Sequence, residues 1–188
     1  DGIKRVMDHG RSKPLVAYAV GHGEPVDDRA SSLVQDIIMP NYQFVVFDLK
    51  NQPKIPDDIN ALILLKPTEP FSEIDNLKID QYIMHGGKVL FFVEPLQAEM
   101  DTFRLKQRIF PYQTDLKVTH LIYHYGARIN PSLLFDIQCD QYPLMSGNDV
   151  RGNSLLPWNV CPILTGSDGH PITQNVDFVS ARFANTVE

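Results

Sequence analysis

FSEIDNLKIDQYIMHGGKVLFFVEP, residues 71–95, reads as a helix, a glycine break and an apolar strand in immediate succession. Ile79, Tyr82, Ile83 and Gly86 fall at i, i+3, i+4 and i+7, so one face of a 3.6-residue repeat is apolar and must pack on something. Ser72 is placed to cap the helix, and Asp75, three residues on, completes a capping-box pattern. Gly86 and Gly87 tolerate the left-handed backbone that stops a helix abruptly. Val89 to Val93 then runs apolar without alternation. A strand with no polar face suits the interior of a sheet covered by helices on both sides. The unit is half of a βαβ crossover.

The upstream sequence repeats this alternation. Leu15 to Val20 is a short apolar run closed by Gly21-His22-Gly23-Glu24-Pro25, which reads as a strand, a tight loop and a helix start. The helix is expected over Pro25–Met39, with Ala30, Leu33, Val34, Ile37 and Ile38 at helical spacing and Pro40-Asn41 ending it. Gln43 to Leu49 predicts a second strand. A polar turn from Lys50 to Asp58, with Pro53 and Pro56, leads to a third at Ala61–Leu65. Strands apolar on both faces, alternating with helices, predict an α/β domain with a mainly parallel sheet and helices on both faces.

Downstream the pattern loosens. Glu94 to Pro111 is a charged insertion with one amphipathic turn at Phe103–Phe110, and Thr114 to Tyr125 returns to helical spacing. There Val118, Leu121, Ile122 and Tyr125 share a face, and Gly126 is the stop signal. From Ala127 onward, Pro131, Pro143, Pro157, Pro162 and Pro171 break the sequence into short apolar pieces, an irregular β-containing part of short strands and loops. Residues 1–14 read as a linker or lead-in, and 15–188 as a single domain.

With 188 residues, 43% of them hydrophobic, the chain is long enough to bury a full core. A formal net charge of −6 and the lack of a basic run disfavour nucleic acid and anionic membrane surfaces as partners. The sequence contains no run of eighteen apolar residues and no leader pattern, so these residues are expected to be soluble as they stand, and Asp1 at the start suggests an excised fragment. Two cysteines, Cys139 and Cys161, read as buried inert thiols, with a single bridge as the alternative.

Ligands of doubly wound sheets meet the carboxyl ends of the strands. The loops expected there hold His22, Glu24, Lys66, Thr68, Glu69 and Glu94. A histidine beside a carboxylate suits an acid/base pair or a polar pocket. The structural alternative has Gly21 and Gly23 turning the chain, Glu24 favouring the helix start, and His22 bonding the loop. An amidotransferase-like enzyme needs a nucleophile on a strand-to-helix elbow, and GHGEP, KPTEPF and VEPLQ offer neither cysteine nor serine in a glycine-flanked turn. His120 and His124 stand at i and i+4, but position 121 is Leu rather than the Glu of a zincin, and no third ligand is located, so no metal site is assigned. The sequence has neither G-x-G-x-x-G nor G-x-x-x-x-G-K-[ST], so this chain is not expected to be the ATPase of a transporter, and no cofactor is implied.

IDQYIMHGGKVLFFVEP, HYGARINPSLLFDIQC, PWNVCPIL and HPITQNVDFVSARFANTVE, with the early VAYAVGHGE, resemble the gliding-motility-associated ABC-transporter auxiliary family, the GldG type, over residues 15–188. The resemblance implies a periplasmic, extracytoplasmic domain tethered by transmembrane helices outside this stretch and working with a permease and an ATPase. It also implies a Rossmann-like sheet similar to class I glutamine amidotransferases. Two functions follow as expectations. One is a non-catalytic binding or scaffolding domain of a transporter complex; the other is a hydrolase, acting on carbohydrate, at the His22, Glu24 and Glu94 loops.

Overall fold

The computed structural model describes residues 13–26, 33–98, 110–144, 154–166, 169–171, 173–174 and 176–188. Residues 1–12 of the expected lead-in and 103–109 of the expected amphipathic turn lie outside that set. Backbone contacts gather the chain into two compact units, one ending at Val93 and rejoined by Asp115–Tyr125, the other made of Glu94–Thr114 and Gly126–Glu188.

In the first unit the four apolar runs become four parallel strands, β1 (Leu15–Val20), β2 (Gln43–Asp48), β3 (Ala61–Leu65) and β4 (Lys88–Phe92). Their order is β2-β1-β3-β4, with Val16 opposite both Phe44 and Ala61. Strand alternation divides the core. Ala17, Ala19, Leu62 and Leu64 face one side, where Phe47, Leu49, Phe71, Ile79, Tyr82, Leu116 and Val118 pack on them. Val16, Tyr18 and Ile63 face the other, against Ile38 and the partly buried Val34.

Helix α1 (Glu73–Met84) begins with a complete capping box. Ser72 Oγ accepts from the Asp75 N–H, and the Asp75 carboxylate accepts from the Ser72 N–H. Ile79 and Tyr82 are the buried apolar stripe, as the spacing predicts. Gly86, at φ +90°, supplies the left-handed turn. Gly87 serves differently, because a Cβ there would run into the Tyr82 ring. The Tyr82 hydroxyl donates to the Ile59 carbonyl at 2.9 Å, which fixes the ring in place.

Four expectations about the first unit are corrected. β4 is an edge strand rather than an interior one: Lys88, Leu90 and Phe92 are exposed and only the opposite side packs on the core, since an apolar run reveals burial potential but not position in the sheet. Of the helix expected at Pro25–Met39, residues 27–32 lie outside the described set, and Leu33–Ile38 is wound as a π-helix with Met39 N–H donating to the Val34 carbonyl five residues back. Helix α2 (Val118–His124) starts later than Thr114, because Lys117 takes a left-handed φ of 59° while its N–H donates to Asp115 Oδ1. Tyr125, placed on the apolar face by spacing, is exposed and donates its hydroxyl to Asp80.

The second unit is antiparallel: β5 (Leu96–Gln97) with β6 (Tyr112–Gln113), β7 (Ile129–Leu133) with β11 (Asn185–Val187), and β9 (Ser154–Leu164) between β8 (Cys139–Leu144) and β10 (Val179–Ser180). Prolines were expected to cut this region into short pieces. Instead β9 runs eleven residues through Pro157 and Pro162, paired with Gln141 and Cys139 of β8, and the ladder shifts register between them.

Candidate functional site

The strand order reverses around β1, so the loops following β1 and β3 flank the switch point at which open α/β sheets usually admit ligands. In this chain those two loops bond to each other. The His22 carbonyl accepts from both Thr68 N–H and Glu69 N–H at 2.9 Å, and Thr68 Oγ1 donates to the Gly23 carbonyl at 3.2 Å. Gly23 stands at φ +75° with its missing side chain aimed at Thr68, so no larger residue fits that approach.

Beneath this seam lies a buried polar chain. The His22 ring is wholly buried and stacks on Phe71 with 3.9 Å between ring centroids. Its backbone N–H donates to Glu24 Oε2 at 2.7 Å, which folds Glu24 back over the loop, and its Nδ1 lies 3.8 Å from Glu24 Oε1. On the other side, His22 Nε2 is 3.2 Å from Asp75 Oδ2. Asp75 also accepts from Ser72 Oγ at 2.7 Å and, through Oδ1, from Lys78 Nζ at 3.0 Å. Lys78 donates onward to the Leu49 carbonyl at 2.8 Å. Burial works to raise the Asp75 carboxyl, but the hydrogen bonds from Ser72, Lys78 and His22 outweigh it and hold it below the ordinary carboxylate range.

The outer surface of the same loops is charged. Lys50 Nζ donates to Glu69 Oε2 at 2.8 Å, a bond that lowers the Glu69 carboxyl and raises the Lys50 ammonium. Lys66 ends β3 at a left-handed φ of 45°, and its N–H donates to the Phe92 carbonyl.

Of the six loop residues named from sequence, His22, Glu24, Thr68 and Glu69 are brought together, Lys66 sits at the base of the same loop, and Glu94 lies partly buried in the second unit. Glu24 bonds the His22 N–H, and Pro25 and Val26, where the helix it was expected to favour would start, are not helical. Asp75 and Lys78 were missed as members of this network. Asp75 carried a visible signal, the capping box; nothing in sequence tied it to His22. The hydroxyls of this cluster are engaged elsewhere than on the histidine, Ser72 Oγ donating to Asp75 and Thr68 Oγ1 to the Gly23 carbonyl, and the His22 ring has no surface open to a substrate.

Elsewhere, His120 and His124 are exposed on α2, and among the described residues no three metal-binding side chains converge. Cys139 and Cys161 are free thiols; burial raises the pKa of Cys161, and Cys139 donates to Asn159 Oδ1. A cleft of about 280 Å³ opens at the amino ends of β3 and β4, between Asp57, Asn60, Tyr82, His85 and Lys88, away from the strand ends on which the sequence focused attention.

Comparison with known proteins adds two findings. A family model described as an ABC-type uncharacterized transport system matches residues 13–188. Among solved structures the chain is similar to one titled mmIFT52 N-terminal domain, at 14% identity and a TM-score of 0.58, over 92% of this chain and 67% of that one. At that identity the likeness concerns the fold alone. No curated protein matches the chain.

Proposed function

We propose, from the premise that this chain belongs to the family described as an ABC-type uncharacterized transport system, that it is a non-catalytic binding or scaffolding domain of a gliding-motility-type complex of the GldG kind. Membership makes it an auxiliary component of an ABC-type transport system. In our reading it lies in the periplasm, is tethered by transmembrane helices elsewhere in its protein, and binds the permease and through it the ATPase. The parallel order β2-β1-β3-β4 supports a Rossmann-like sheet of the class I glutamine amidotransferase kind.

The non-catalytic part rests on one observation, the closed seam in which the His22 carbonyl takes two N–H groups from the β3 loop while the His22 ring is fully buried. Catalysis by a general acid or base requires hydrogen-bond reach of the substrate. A screen of the purified chain against ester, amide and glycoside substrates tests this reading, with His22→Ala and Glu24→Ala as controls. No turnover is expected from any of the three proteins. Turnover that disappears in both variants overturns the reading in favour of a hydrolase.

A further inference from the structure

Two facing atoms beneath the seam carry no hydrogen bond. His22 Nδ1 and Glu24 Oε1 lie 3.8 Å apart, both side chains are fully out of solvent, and neither atom has a partner among the described residues. Burying two polar atoms unsatisfied is costly. The other ring nitrogen fixes the tautomer. Asp75 is held in its charged form, so its Oδ2 only accepts, and His22 Nε2 carries the hydrogen that bridges their 3.2 Å. A neutral ring therefore turns a bare Nδ1 lone pair toward a carboxylate oxygen. A second proton, on Nδ1, replaces that opposition with a buried ion pair.

The charges around the ring favour this proton. Glu24 lies on one side and Asp75 on the other. Asp48, at the end of β2 beside Gly21, and Glu69, in the loop after β3, both feel the charge of His22. Against these carboxylates stand two ammonium groups, Lys78 held by Asp75 and Lys50 held by Glu69. Phe71, stacked on the ring within 9° of parallel, offers its π face to a cation. We infer that His22 is a proton-operated latch: closing the seam takes up a proton at Nδ1, and losing it releases the loop after β1 from the loop after β3. With both ring protons in place, His22 and Lys78 balance Glu24 and Asp75. Without the second, one buried negative charge is uncompensated and the opposed lone pairs drive Glu24 from the ring. Glu24 holds the His22 N–H, and the carbonyl of the same residue takes Thr68 and Glu69, so its departure loosens the seam. Because the closed form binds the extra proton, the seam is tightest on the acid side of histidine's titration range. It loosens as the pH rises through that range, between about 5 and about 8. The latch stands on the geometry of the seam and not on the transporter reading.

Amide hydrogen exchange read by NMR on the full chain tests the latch. Thr68 and Glu69 report on it, because their N–H groups donate to the His22 carbonyl, and Leu64 in the interior strand β3 is the reference. Corrected for intrinsic exchange, protection of Thr68 and Glu69 falls about tenfold relative to Leu64 from the acid to the alkaline end of this range. Glu24→Gln keeps an oxygen for the His22 N–H and supplies an amide N–H for Nδ1, so its seam stays closed without the second proton and loses the pH dependence. Nitrogen-15 spectra of the His22 ring give a readout that needs no variant, with both nitrogens protonated at the acid end and Nδ1 bare at the alkaline end. A bare Nδ1 at the acid end overturns the inference, as does protection that is constant with pH in the parent or equally pH-dependent in Glu24→Gln.

Discussion

His22 Nε2 lies 3.2 Å from Asp75 Oδ2, and this contact ties the loop after β1 to the first turn of α1, 53 residues away along the chain. The ring is stacked on Phe71 and out of solvent, so its removal leaves a hole and takes one hydrogen bond from Asp75 Oδ2, which keeps its bond from Ser72 Oγ. His22→Ala should therefore destabilise the fold by about 2–4 kcal/mol, read as a lower midpoint in urea. An unchanged midpoint would mean that the loop does not depend on this side chain.

The same network sets a response to acid. The Asp75 carboxyl is held below its ordinary range, so the folded state favours the charged form. That contribution is fully present above the ordinary carboxylate range and is lost progressively as the pH falls below about 4. Asp75→Asn should cost about 3 kcal/mol near neutral pH, by stripping Lys78 of its buried partner. The gap from the parent should then narrow in acid. Urea midpoints measured from neutral to acid check the sign, and a constant gap would contradict it.

Gly23 is constrained twice, by its φ of +75° and by Thr68. Gly23→Ala should lose about 2 kcal/mol or more, combining left-handed strain with the clash. Pairing it with Thr68→Ala should recover the clash and leave the strain, giving a partial rescue in thermal melts. Full additivity of the two losses would show that the side chains do not meet.

Gly86 and Gly87 should fail in different ways. Gly86 has open space where a Cβ would go, so only its φ of +90° resists substitution, and Gly86→Asn should be milder than Gly86→Val by about 1 kcal/mol because Asn tolerates the left-handed region. At Gly87 the obstacle is the Tyr82 ring, so Gly87→Asn should be no milder than Gly87→Ala. Matching rank orders at the two positions would refute the distinction.

Local signals were legible and long-range ones were not. β1 and β3 appear where bounded apolar runs predict them, and the Ser72–Asp75 box is a three-residue pattern that backbone geometry enforces. That Asp75 also serves His22 depends on the sheet bringing two distant segments together, which no spacing rule records. Lys78 borders the apolar stripe of α1, and its burial depends on the Asp75 carboxylate and the Leu49 carbonyl that accept its ammonium. The edge position of β4 was hidden because its apolar residues suit an interior strand equally well, and the late start of α2 turns on the backbone of Lys117.

The central claim is that this chain works as an auxiliary domain bound to a transporter rather than as an enzyme. Affinity purification of the protein carrying this chain from detergent-solubilised membranes of its own host, with the bound proteins identified by mass spectrometry, tests it most directly. The account predicts a membrane permease and an ATPase bearing a phosphate-binding loop in stable proportion to the bait, retained by the His22→Ala and Glu24→Ala forms that still fold. Recovery of the bait without either subunit would contradict it.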